Sequence, residues 1–126
     1  MISEIKICQF CNSEREFIAE NKNSFAIFDG FPVSKGHALI ISKRHCQNFF
    51  ELTLEEQMDC LNLLNETKIF IEKKYSPDGF NVGININEAA GQTIMHVHLH
   101  IIPRYFGDVE RPQGGVRGVI PLLKEY

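Results

Sequence analysis

The sequence predicts an α+β fold, an antiparallel β-sheet with one long helix running between its two halves. Three observations predict it. Short apolar runs separated by turn residues fill the first third of the chain. A helical spacing of apolar residues follows Thr53, and a two-residue alternation of apolar and polar residues returns after Gly79.

In chain order, "FIAE" (17–20), "SFAIFD" (24–29) and "GHALIIS" (36–42) read as successive antiparallel strands, parted by "NKN" and "GFPVSKG", which supply turn residues. From Thr53, Leu54, Met58, Leu61, Leu64 and Ile71 recur at helical intervals. The stretch "TLEE" is a capping box in which Thr53 and Glu56 satisfy first-turn amides. Lys73 and Lys74 suit the negative end of that helix, and Pro77 lies beyond it. Phe80, Val82, Ile84 and Ile86 then share one face of a half-buried strand, with Asn81, Gly83, Asn85 and Asn87 on the other. After the turn "EAAGQ", the segment "TIMHVHLHIIP" puts Met95, Val97, Leu99 and Ile101 toward the core and His96, His98 and His100 opposite. These two strands are expected to form a hairpin. The tail, rich in glycine and proline until "VRGVIPLL", predicts an irregular excursion ending in a short edge strand.

The 126 residues, 44% hydrophobic and 23% charged, suit one domain with its own core, so residues 1–126 are read as a single domain. A net charge of −3 speaks against coating nucleic acid, and no apolar run approaches a membrane span, so neither partner is expected. With no export signal, the chain reads as cytoplasmic, and its four cysteines do not read as a disulfide framework. Cys60 falls in the helical pattern as a small apolar group, whereas the close pair Cys8 and Cys11 points to metal or redox chemistry.

Three of only five histidines alternate in "HVHLHII". Imidazoles two apart on one strand face can share a metal or a phosphate, and near neutrality the ring serves as nucleophile, base or donor. Together "CQFC" (8–11), "GHALIISKRH" (36–45) and "GFNVGININEAAGQTIMHVHLHIIPR" (79–104) resemble the histidine triad (HIT) family of nucleotide hydrolases and transferases. The resemblance implies a single histidine triad domain with a HIT-like antiparallel sheet, one long helix and short additional helices.

It further implies a hydrolase that cleaves a phosphoanhydride or phosphoramidate at the α-phosphorus of a purine nucleotide or dinucleotide, with His98 as nucleophile and His100 assisting. Asp29, His37, Asn85, Gly91, Gln92 and Thr93 match positions around nucleotide and phosphate. In one branch of the family a structural zinc is held at the positions of Cys8, Cys11, His45 and His96, and no organic cofactor is used. Two thiolates and two imidazoles make a closed tetrahedral set. The family's "PKxH" element has Ser42 in place of its usual proline, and Cys46 beside His45 is either a competing ligand or a buried apolar group. Arg104 and Arg117 are open to phosphate, to an acidic partner or to solvent. Family members commonly form homodimers through a sheet edge and the helix. The alternatives are a nucleotidyltransferase or phosphorylase using the same intermediate, and a non-catalytic, zinc-stabilised nucleotide-binding protein.

Overall fold

The computed structural model of the chain describes residues 8–11 and 16–126. Among these, five strands form one antiparallel sheet: β1 (Ala19–Glu20), β2 (Ser24–Phe28), β3 (Ala38–Ser42), β4 (Gly79–Ile84) and β5 (His98–Arg104), in the order β1-β2-β3-β5-β4. One long helix, α1 (Leu54–Tyr75), lies between β3 and β4 in sequence, and short 3-10 turns complete the elements. The architecture is the expected one.

The sheet is covered on both faces, which explains why β2 and β3 read as nearly continuous apolar runs. On the helix side, Ala26, Ile40 and Leu99 pack with Cys60 and Leu63 of α1. On the other side, Phe25, Ile27, Leu39 and Ile41 pack with Cys8 and Phe10. In the register of β3 and β5, Ile40 faces Leu99, while Leu39 faces His100 and Ile41 faces His98. Side chains alternate between faces along a strand. The two histidines of β5 therefore emerge on the side away from α1, over an apolar floor.

The capping box forms as the sequence predicts: the Glu56 amide donates to Thr53 Oγ1 (3.1 Å) and the Thr53 amide to Glu56 Oε1 (2.9 Å). The buried stripe of α1, however, is Glu56, Cys60, Leu63, Thr67 and Ile71. Of the residues assigned to the apolar face from spacing, Ile71 is buried and Leu64 packs against the core, but Leu54, Met58 and Leu61 are exposed. Apolar residues occupy both sides of this helix, so spacing alone does not fix which side meets the sheet.

Two other expectations need correction. β4 and β5 pair antiparallel as expected, with Ile84 opposite Leu99, but the connection between them, residues 85–97, is longer than the turn "EAAGQ". Ile86 lies beyond β4, and Met95, His96 and Val97 precede β5. The tail adds no edge strand. Residues Gly115–Val119 and Pro121–Leu123 form 3-10 turns, and β4 is the outer strand on its side of the sheet. Gly114 enters the first turn at φ 92°, and Pro121 stands at the start of the second, where its lack of an amide proton would interrupt a ladder.

Candidate active site and metal cluster

Strand β5 presents His98 and His100 on one face with ring centroids 5.3 Å apart. His98 Nδ1 lies 2.8 Å from the carbonyl oxygen of His96. A carbonyl only accepts, so Nδ1 carries the ring proton and Nε2 keeps its lone pair. The edge of Phe10 packs on this ring, centroids 5.1 Å apart. His100 Nδ1 is 3.0 Å from His37 Nε2, and the Val33 amide donates to His37 Nδ1 across 3.1 Å. Burial, reinforced by His98 and His37, pushes His100 down to about 4. Burial also lowers His37, against the opposing pull of Asp29. Both rings are neutral at pH 7.

These side chains open on a cleft of about 610 Å³. Asp29, His37, Asn85, Gly91 and Thr93 line it together with His98 and His100. Asp29 Oδ1 accepts from the Phe31 amide (2.8 Å), while its Oδ2 lies 3.4 Å from His37 Nε2. Gly91 sits at φ 91°, a left-handed conformation that a side chain would strain, and its amide closes the short turn onto Glu88.

Gln92 differs from its expected role as a phosphate donor. Its side chain is buried and absent from the cleft lining. The amide accepts from Asn87 N (2.8 Å) and donates to Gln47 O (2.8 Å) and Ile94 O (3.1 Å), so it braces the connection between β4 and β5.

Sequence reasoning missed the apolar lining of the cleft, in which Phe10, Phe31, Val33, Leu39 and Ile94 take part. A signal existed for two of them: Phe31 is 88% exposed and Val33 72%, and large apolar residues inside the turn "GFPVSKG" have no core to fill. Both arginines left open are held within the fold. Arg104 forms a two-pronged pair with Asp108 (2.7 and 2.8 Å) and also donates to Asn81 Oδ1, and Arg117 donates to the carbonyls of Leu123 and Lys124.

A second cluster lies immediately before β5. Cys11 Sγ is 3.1 Å from His45 Nδ1 and 3.4 Å from His96 Nδ1, Cys8 Sγ is 3.4 Å from His96 Nδ1, and the two Nδ1 atoms are 3.2 Å apart. All four donor atoms fall within 4.8 Å of one another, so the cluster can hold a metal ion. A tetrahedral zinc with sulfur ligands at about 2.3 Å and nitrogen ligands at about 2.0–2.1 Å needs donor separations of roughly 3.3–3.8 Å, close to those present.

The tautomer of His96 agrees with this. His96 Nε2 donates to Ser42 O (2.6 Å), which leaves Nδ1 unprotonated toward the cluster. Ser42, where the family's usual proline would stand, thus supplies the carbonyl that orients a candidate ligand. Burial and the neighbouring Cys8 push the Cys11 thiol up to about 11, so binding a metal there displaces a proton. Cys46 is buried in the helix-side core and stands apart from the cluster.

Comparison with known proteins agrees with this geometry. The HIT domain model matches residues 11–107. Adenosine 5'-monophosphoramidase hnt1 of Schizosaccharomyces pombe is 38% identical over 77% of this chain and 74% of its own length. The AP-4-A phosphorylase of Mycobacterium tuberculosis is 29% identical over 95% of this chain but only 63% of its own. Among solved structures, a HIT family protein from Bacillus anthracis superposes with a TM-score of 0.76 at 36% identity, covering 81% of this chain and 76% of that one. A zinc-bound histidine triad family protein from Mycobacterium smegmatis gives 0.73 at 30% identity, covering 82% and 79%. The chain belongs to the HIT domain family.

Proposed function

We propose that this chain is a nucleotide hydrolase that cleaves a phosphoanhydride or phosphoramidate at the α-phosphorus through a nucleotidyl-histidine intermediate on His98. The observation that carries the reading is the bond from His98 Nδ1–H to His96 O, which reserves Nε2 as an unprotonated nitrogen in a side chain that lines the cleft. Attack forms the Nε2–P bond as the bond from phosphorus to the leaving oxygen or nitrogen breaks, and the electron pair departs with the leaving group. The leaving group takes up a proton from solvent; water then attacks phosphorus and gives a proton back to solvent as the N–P bond breaks and Nε2 regains its lone pair. Splitting the displacement in two lowers each barrier.

His100 donates to phosphate oxygens beside the nucleophile. Thr93 and the backbone at Gly91 meet the phosphate, Asp29 accepts from the ribose hydroxyls, and Asn85 and His37 line the site. Phe31 and Val33 cover the apolar base, taken to be a purine. Residues 1–126 act as one histidine triad domain. Cys8, Cys11, His45 and His96 would hold zinc, and as four protein ligands they would give it a structural role, bracing the segment before His98.

A phosphorylase, in which inorganic phosphate replaces water as acceptor, is the second reading, and the similarity to a protein named AP-4-A phosphorylase favours it. We further read the protein as a cytoplasmic homodimer, supported by the outer strand β4, whose Val82 is 42% exposed, and by Leu54, Met58 and Leu61 uncovered on α1. No helix among the described residues is long and apolar enough to cross a membrane.

Rapid quenching of turnover with adenosine 5'-phosphoramidate and with diadenosine tetraphosphate, followed by mass spectrometry, tests the reaction. A nucleotidyl mass on the peptide containing His98, lost in His98→Ala along with at least about 10³-fold in rate, is expected. Release of that adduct by phosphate faster than by water would select the phosphorylase. Turnover with no adduct, or with full activity in His98→Ala, would refute both.

A further inference from the structure

Behind His100 lies a line of hydrogen bonds that the proposed reaction does not itself require. The Val33 amide donates to His37 Nδ1 (3.1 Å), and His37 Nε2 meets His100 Nδ1 (3.0 Å). A backbone amide can only donate, so His37 Nδ1 must offer its lone pair. A neutral His37 then carries its proton on Nε2 and donates it to His100 Nδ1. That in turn places the single ring proton of a neutral His100 on Nε2, the nitrogen not engaged by His37.

We infer that His37 is a positioning residue that fixes the tautomer of His100, so that neighbouring His98 and His100 offer the cleft opposite groups: a lone pair from one and an N–H from the other. Burial supports this, since His37 is buried and the lowered affinity of both rings for a second proton keeps them neutral. Asp29 Oδ2, 3.4 Å from His37 Nε2, attracts the same proton and holds it on that nitrogen.

Asp29, His37 and His100 also satisfy the spacing of a metal site, their donor atoms lying within 4.8 Å of one another. The Val33 amide argues against that use. A metal on His37 Nε2 would drive the ring proton to Nδ1, where it would face the Val33 N–H head on. The three side chains therefore form a relay of hydrogen bonds. The relay orients but does not conduct, because a peptide N–H at its far end gives up no proton at neutral pH. His100 thus acts as a hydrogen-bond donor to the reacting phosphate, and the proton taken up by the leaving group comes from solvent.

The consequence for turnover rests on the proposed function, whereas the tautomer can be read without it. In ¹⁵N-histidine protein at neutral pH, proton–nitrogen correlation spectra should show His100 unprotonated at Nδ1 and protonated at Nε2, and His98 the reverse. In His37→Ala, His100 should lose that preference, and kcat with adenosine 5'-phosphoramidate should fall about tenfold or more while KM changes less than about threefold. His37→Gln, whose amide restores an N–H donor, should recover part of both. Added zinc should saturate at one equivalent per chain without moving the His37 and His100 resonances.

A protonated His100 Nδ1 in the parent chain would overturn the inference. So would a His37→Ala variant that loses kcat with the His100 tautomer unchanged, or a second zinc equivalent that shifts both rings. If the tautomers are as stated but no adduct ever forms on His98, the assignment stands and it is the proposed reaction that fails.

Discussion

Single side chains in the cleft divide by whether their polar atoms face the opening or are already engaged in the fold. Thr93 and Asn85 line the opening, whereas both side-chain polar atoms of Gln92 are engaged by backbone groups of Asn87, Gln47 and Ile94. Removing that amide deletes three hydrogen bonds made by a buried side chain and leaves a small void where it packed. Gln92→Ala should therefore destabilise the protein by about 1–3 kcal/mol, read from the midpoint of urea unfolding. If it left stability untouched but weakened nucleotide binding, Gln92 would be a ligand-facing residue after all. The sequence distinguishes these roles poorly, because Gln92 and Thr93 are adjacent in a loop and only the tertiary positions of Gln47 and Ile94 show where each points. His98 is the opposite case. Its tautomer depends on a carbonyl two residues away, so the short motif "HVH" already contains both partners.

At the scale of elements, helix α1 is joined to the four-donor cluster through its own cap. The Glu56 carboxylate accepts from the Thr53 amide and from Nε and Nη2 of Arg44 (3.0 and 2.9 Å), the residue just before His45. Arg44 and the Thr53 amide hold Glu56 down at about 2, against its burial. The sign follows directly. A carboxyl bound more weakly to its proton in the folded state stabilises the fold above its ordinary value near 4.5, and that contribution disappears as pH falls through about 2. Glu56→Ala should lose about 1–2 kcal/mol at pH 7. Glu56→Gln should flatten the decline in stability between pH 4.5 and 2 in an acid titration followed by circular dichroism. An unchanged acid limb in Glu56→Gln would mean that Arg44 contributes nothing. The capping box was legible because it is local, four consecutive residues with fixed chemistry. The face of α1 that meets the sheet was not, since Leu54, Met58 and Leu61 follow the helical period as well as Leu63 and Ile71 do. Only packing against β2 and β3 selects between them. The tail failed for the related reason that "VRGVIPLL" has strand composition, yet bonds from Arg117 to the carbonyls of Leu123 and Lys124 fold it into turns.

Across the whole molecule, the sheet has two coverings of unequal kind. Helix α1 closes one face through Cys60, Leu63 and Ile71, whereas the other carries the segment of Cys8 to Cys11, which reaches the sheet through Phe10 and the four-donor cluster. His45 follows β3 and His96 precedes β5, so a metal held by the cluster would join the segment of Cys8 to Cys11 to these two neighbouring strands. Phe10 lies between the two cysteines and packs its edge on both His96 and His98, centroids 5.9 and 5.1 Å apart. Stripping the metal should release this covering first while leaving the helix side intact. A strong chelator should lower the thermal midpoint by about 10 °C or more, because metal binding adds several kcal/mol to folding and each kcal/mol shifts a domain of this size by about 4 °C. Amide exchange should accelerate in β3 and β5 near the cluster and change little in α1. Cys11→Ser should show the lowered midpoint without chelator and no further response to it. A midpoint indifferent to both treatments would mean that Phe25, Ile27, Leu39 and Ile41 hold that face closed by packing alone, and that the cluster braces nothing.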